Sequence, residues 1–256
     1  VQGESFDYPE AFFEERIHEI RRIHPDPNQV KVAADKLKNS KQPIIISGGG
    51  VLYSEAEKEL SNFSKKHNIP VTATAMGIGC MTKDDPYYIG GIGGLGEKSA
   101  NNLSKETDLA LAIGTKLADF TTGSWANFES DNFQLVSLNA ARFDTAKHLA
   151  TPIVSDAKIG LQQLSEALGD WKAPDNWYQK AIKEREEWEA HVKKQSGPTN
   201  QEEPSYAHAV GAVYRNADPS DIVVTAAGGL VGEVVQVWKP KQINTFETEW
   251  GFSCMG

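Results

Sequence analysis

Gln42-Pro43-Ile44-Ile45-Ile46-Ser47-Gly48-Gly49-Gly50 is the stretch on which the fold turns. A short, unbroken apolar run after a proline has the pattern of a parallel strand covered on both faces. The three glycines that follow mark a strand end where other backbone can come close. Upstream, Asp26-Pro27 opens a helix, with Asp as cap and Pro in the first turn. Val30, Ala33, Ala34 and Leu37 then recur at i, i+3, i+4 and i+7. Downstream, Ser54 and Glu57 have the spacing of a capping box, and Ala56, Leu60 and Phe63 form one helical face until Asn68 and Pro70 stop it. Strand patterns recur at Val71-Thr72-Ala73-Thr74, Leu109-Ala110-Leu111-Ala112-Ile113, Leu135-Val136-Ser137-Leu138 and Ile153-Val154. Helices are predicted near Lys98 to Ser104 and after Asp156, which caps a segment carrying Ile159, Leu161, Leu164 and Leu168. Alternation of this kind predicts an α/β fold, a doubly wound, Rossmann-like parallel sheet over residues 25–170.

Beyond that unit the composition turns polar. Residues 171–204 read as a helical linker in which Trp177, Ala181, Trp188 and Val192 face a neighbour and the run Lys183 to Glu187 faces solvent. Ser196-Gly197-Pro198-Thr199-Asn200 then breaks the helical pattern. A second α/β unit follows at 205–256, with Tyr206, Ala209, Val210 and Val213 on a helix, Ile222 to Thr225 as a strand and Ala226-Ala227-Gly228-Gly229 as a turn. It is too short for a complete doubly wound domain and reads as the opening of one. Residues 1–24, with Phe6, Tyr8, Phe12 and Phe13, read as a linker that lies on something else. Both ends of the sequence suggest a piece of a longer protein.

The 256 residues are 39% apolar and 24% charged, ordinary globular values, and no apolar run reaches the roughly 18 residues of a spanning helix. With 26 basic and 35 acidic residues the net charge is −9, the wrong sign for a polyanion-binding surface, so neither nucleic acid nor membrane is an expected partner. Cys80 and Cys254 form no CxxC or Cys/His cluster, which predicts a cytoplasmic protein without disulfides or structural zinc.

Four features suggest chemistry and each has a plainer explanation. Gly91-Ile92-Gly93-Gly94-Leu95-Gly96 matches GxGxxG, with Asp119 at roughly the ribose-ligand spacing. Asp84 to Tyr88 before it reads as a turn, so a glycine-rich loop against a neighbouring domain or subunit is the preferred reading over dinucleotide binding. Ser47 to Val51 follows a strand and precedes a helix, so its amides are a second candidate for an anion, although a third spaced glycine is missing and Tyr53 is bulky. His18, His24, His67, His148, His191 and His208 are scattered and read as surface residues. Cys80 and Met81 read as packing residues.

Gln42 to Gly50, Ile69-Pro70-Val71-Thr72-Ala73-Thr74-Ala75-Met76-Gly77 and Asp108 to Thr115 resemble the central domain of thiamine-diphosphate enzymes of the acetolactate synthase type. Phe6 to Phe13, Leu138 to Asp144, Thr225 to Leu230 and Glu249 to Gly256 are most similar to the members that hydrolyse a cyclic 1,2-dione in myo-inositol catabolism. The resemblance implies thiamine diphosphate and Mg2+ as cofactors of a full-length homo-oligomer acting on a small polyol-derived dione. It implies that Gly228, Gly229 and Leu230 approach the cofactor diphosphate, and that Ser253, Cys254 and Met255 meet the rest of it, Met255 propping its bent form. It places the activating glutamate and the metal-binding segment in other domains, so no catalytic residue and no metal ligand is assigned in this chain, which is expected to be inactive alone. FAD is not expected, because Asn139 and Ala140 stand where flavin-binding relatives often carry an acidic residue, and Asp156 is explained as a cap. The alternatives are an acetolactate synthase-type carboligase or decarboxylase, and a nucleotide-binding or scaffolding module without chemistry of its own.

Overall fold

A computed structural model describes residues 3–19 and 21–249. Six parallel strands form the main sheet: β1 (Pro43–Ser47), β2 (Val71–Ala73), β3 (Tyr88–Gly91), β4 (Leu109–Ile113), β5 (Gln134–Asn139) and β6 (Thr151–Val154). Their order, β3-β2-β1-β4-β5-β6, is that of a doubly wound sheet with its switch point between β1 and β4. Ile45 faces one side with Leu111 and Val136, while Ile44 and Ile46 face the other with Ala110 and Ala112. Helices α1 (Pro27–Asn39), α3 (Glu57–His67) and α7 (Ala157–Leu168) cover the first face, and α4 (Lys98–Glu106) covers the second. Short helices α2 (Gly49–Tyr53), α5 (Asp119–Thr122) and α6 (Arg142–Thr145) follow β1, β4 and β5 at the carboxyl edge.

Asp26 caps α1 by accepting from Asn28 N and Gln29 N, and Asp156 caps α7 by accepting from Lys158 N and Ile159 N. Asp156 also holds the Arg22 guanidinium at 3.0 Å, which fastens the chain entering α1. Asn68 closes α3 in the left-handed conformation. The Ser54/Glu57 capping box is absent: Ala56 is the N-cap of α3 without a side-chain bond, and Ser54 ends α2, its hydroxyl accepting from Ala157 N. The chain re-enters a helix at Gly49 directly after β1, and this displaces the start of α3. The predicted turn at Asp84 to Tyr88 is present as far as Tyr87, but an unpredicted strand follows it directly. Tyr88–Gly91 is a buried edge strand whose two glycines hide it from an apolar-run criterion.

Helix α8 (Asp175–Gln195) lies along α4, beside the β3 edge. Trp177 is buried and its Nε1–H donates to Pro43 O at 2.9 Å. Tyr178 stacks on Tyr87 with ring centroids 4.5 Å apart. The charged run is not wholly solvated: Glu184 accepts from Asn102 Nδ2, and Arg185 donates to Lys83 O and Asp85 O. Among the histidines, His67 is fully buried, not superficial. Its Nδ1 lies 2.8 Å from Trp171 O and its Nε2 2.9 Å from Ser165 Oγ, so it joins α3 and α7 to the chain leading into α8.

After α8 come α9 (Tyr206–Asn216), β7 (Val223–Thr225), α10 (Leu230–Val237) and β8 (Phe246–Thr248). β7 and β8 pair in parallel, Val223 opposite Phe246 and Thr225 opposite Thr248. The small unit rests on the large one through Lys83 N to Pro240 O at 2.9 Å and Asn244 N to Gly79 O at 3.2 Å. Residues 3–19 contribute an exposed aromatic cluster, in which Tyr8 stacks on Phe12 at 4.7 Å.

Candidate functional site: the β7–α10 turn

Three glycine-rich strand ends were candidates for binding, and two are filled by the protein itself. At the switch point Gly48 N donates to Ile113 O and Gly50 N to Gly114 O, so these amides are committed to the neighbouring strand end. A Cβ on Gly50 would stand 2.6 Å from the Gly114 Cα. Across β4 and β5, Asn139 Nδ2 donates to Thr115 O while its Oδ1 accepts from Ala141 N. The crevice where a doubly wound sheet ordinarily receives a nucleotide is thus closed by main chain.

Gly91–Gly96 does follow a strand and precede a helix, yet its polar groups are also engaged. Gly91 N donates to Glu97 Oε1 at 2.8 Å, and Asn101 accepts from Gly93 N and donates to Gly93 O, both at 2.9 Å. Asp119, the suggested ribose ligand, instead accepts from Ser124 Oγ at 2.9 Å. Cys80 is buried beside Ser47 Oγ at 2.9 Å, and burial pushes its thiol pKa up to about 12, so it is not a reactive nucleophile. Among the described residues no group of three or more His, Cys, Asp or Glu side chains is placed to hold a metal ion.

The third glycine turn is open. β7 ends at Thr225, Ala226 to Gly229 turn the chain, and α10 begins at Leu230. Gly228 has φ +125°, a conformation that strongly favours glycine, and a Cβ on Gly228 or Gly229 would meet no atom of the described residues within 4 Å. Leu230 is half exposed. The parallel register sets the end of β8 beside this turn, with Glu249 N donating to Thr225 O at 2.9 Å. The Thr248 hydroxyl there is buried with no hydrogen-bond partner among the described residues. Amides at a helix N-terminus, with open space beside them among the described residues, suit an anionic group. Of the six residues expected at a cofactor, the structure brings Gly228, Gly229 and Leu230 together; Ser253, Cys254 and Met255 lie outside the described residues.

A model of the thiamine pyrophosphate enzyme central domain matches residues 30–164, the six-stranded unit almost from end to end. The chain therefore belongs to the thiamine pyrophosphate enzymes. Among curated relatives it is 34% identical to the 3D-(3,5/4)-trihydroxycyclohexane-1,2-dione hydrolase of Geobacillus thermodenitrificans, covering 100% of this chain and 43% of that protein. It is 34% identical to the enzyme of the same name from Clostridium tetani and 32% identical to that of Lacticaseibacillus casei, in both cases along its whole length. The chain spans less than half the length of these relatives.

The open turn fits the diphosphate end of a thiamine cofactor, since it offers amides, space and the positive end of a helix. Glu233, one turn further into α10, is the nearest acidic side chain in sequence and works against a second negative charge. Residue patterns alone missed the carboxylate of Glu97, which organises the 91–96 loop. The nearest hint was an acidic residue directly after the last glycine, a position with no meaning until β3 is recognised.

Proposed function

We propose that this chain is part of a thiamine-diphosphate- and Mg2+-dependent hydrolase that opens the ring of a cyclic 1,2-dione by cleaving a carbon–carbon bond. The observation that carries the reading is the open β7–α10 turn with Gly228 at φ +125°, in a chain related along its whole length to hydrolases of that name. Residues 25–170 act as the central domain, 171–204 as a helical connector, and 205–256 as the start of the diphosphate-binding domain. Residues 1–24 act as a linker from a preceding domain. The protein works as a cytoplasmic homo-oligomer on a small polyol-derived dione.

When bound, thiamine diphosphate supplies a nucleophilic carbon and an electron sink for breaking a bond next to a carbonyl. In this chain the backbone amides of Gly228, Gly229 and Leu230 would hold the diphosphate, and Ser253, Cys254 and Met255 would meet the remainder. The six-stranded sheet does no chemistry; it fixes where that turn stands. No residue here moves a proton in the reaction, and the Mg2+ ligands belong to another segment.

The test compares the 256-residue chain with the full-length protein, each given thiamine diphosphate and Mg2+ and offered the cyclic dione or pyruvate. Ring opening by the full-length protein alone is the expected result. Consumption of pyruvate in preference to the dione would replace this reading with an acetolactate synthase-type one, and turnover by the 256-residue chain would contradict the division of labour.

A further inference from the structure

The glycine-rich loop at residues 91–96 has its polar groups engaged within the chain and is built with unusual economy of space. Gly90 leaves room for a carboxylate, since a Cβ there would stand 2.5 Å from Glu97 Cδ. Glu97 folds back beneath the loop, its Oε1 accepting from Gly91 N at 2.8 Å and its own N–H donating to Gly91 O at 2.7 Å. Only 2% of this side chain is exposed, so its charge needs a partner. That partner is Lys239, two residues beyond α10 and 14% exposed, whose ammonium pairs with Glu97 Oε2.

The same loop seats the helix. Glycine at 91 brings Val235 Cγ1 to 3.5 Å from the position of a Cβ, and Gly232 stands at the same separation from Leu95 Cδ2. Val231, Val234 and Val235 are buried on that face of α10. One end of α10 is therefore pinned by an ion pair shielded from water, and the opposite end carries Gly228, Gly229 and Leu230.

We propose that the Glu97–Lys239 pair is a positioning device for the cofactor: it locks α10 onto the glycine-rich loop and so sets where the Gly228–Leu230 turn meets the diphosphate. Glu97 and Lys239 touch no reacting atom; they act through the helix. The inference rests on the proposed cofactor turn and adds to it two residues, one from each α/β unit. It also explains GxGxxG here as a seat for a helix of the same chain.

The experiment measures thiamine diphosphate affinity of the full-length protein in Mg2+ by calorimetry, with thermal unfolding of each variant in parallel. Lys239→Met should weaken cofactor binding about tenfold, within the range typical of coupled sites, while Lys239→Arg keeps it within about twofold. By linkage, the thermal stabilisation that the cofactor confers should shrink in Lys239→Met and persist in Lys239→Arg. If Lys239→Met fails to fold, Glu97→Gln/Lys239→Met removes both charges, leaves none buried alone, and should still bind weakly. Gly228→Val tests the turn itself. Wild-type affinity in a folded Lys239→Met or in the double variant, with binding lost in Gly228→Val, overturns the positioning role and leaves the cofactor turn standing. Unchanged affinity in every variant, Gly228→Val included, overturns both.

Discussion

Replacing Gly114 by Ala tests the closed switch point most directly. At Gly114 the backbone has φ +59°, and a Cβ would stand 2.6 Å from Gly50 Cα and 2.8 Å from Gly50 C. Both neighbours are main chain and have no rotamer to yield. Left-handed backbone costs Ala about 1 kcal/mol, and forced overpacking adds about 3 kcal/mol, for a loss of about 4 kcal/mol. That is a large share of the roughly 5–15 kcal/mol that stabilises a domain. Two companions separate the contributions. Gly123→Ala, left-handed at φ +57° and ψ +45°, meets only ordinary contacts from 3.5 Å and should lose only the conformational part, about 1 kcal/mol. Gly50→Ala sits in a helix, gains about 1 kcal/mol in propensity, suffers the same 2.6 Å approach, and should lose about 2 kcal/mol net. Urea unfolding followed by circular dichroism gives all three values. Gly114→Ala costing the same as Gly123→Ala, within about 0.5 kcal/mol, would refute a tight crossing between the β1 and β4 ends.

Trp177→Phe should destabilise by about 2–3 kcal/mol in the same assay, because it opens space and strands Pro43 O without its 2.9 Å donor. His67, whose pKa burial lowers below its ordinary 6.5, binds fewer protons folded than unfolded, so its contribution is full above that value and falls as acid protonates it. Stability measured from pH 8 down to pH 4.5 should therefore show a slope that His67→Gln flattens; an identical slope in the variant would contradict the assignment. In a Cys254→Ser background at pH 8, Cys80 should react with a thiol reagent only as fast as the protein opens, since its pKa is pushed up to about 12. A rate independent of added denaturant would show the thiol to be accessible.

The main sheet was legible because strands buried on both faces leave contiguous apolar runs: Ile44 to Ile46 and Leu109 to Ile113 stand out without any knowledge of partners. β3 was not, since half of Tyr88-Ile89-Gly90-Gly91 is glycine and its strand character comes from pairing with β2. Asp26 and Asp156 could be identified as caps because their partners lie within three residues. His67 could not, since Ser165 and Trp171 are about a hundred residues away. The candidate site divides in the same way. Composition could not tell the open glycine turn from the two closed ones, because what fills Gly48–Gly50 and Gly91–Gly96 is distant main chain and the carboxylate of Glu97. Only resemblance to a family favoured Gly228 and Gly229.

Helix α8 is fastened at several points, by Trp177 near its start, Glu184 and Arg185 midway, and Val192 packed near its end. Its length is therefore also an angle. Adding one residue after Arg185 would turn everything downstream by about 100° and advance it by about 1.5 Å. α9, α10 and Lys239 would then face away from Glu97 and the glycine loop. Homologous chains can accordingly vary freely in the surface composition of this rod but are predicted not to tolerate insertions within it, since even a whole turn would advance Lys239 by about 5.4 Å.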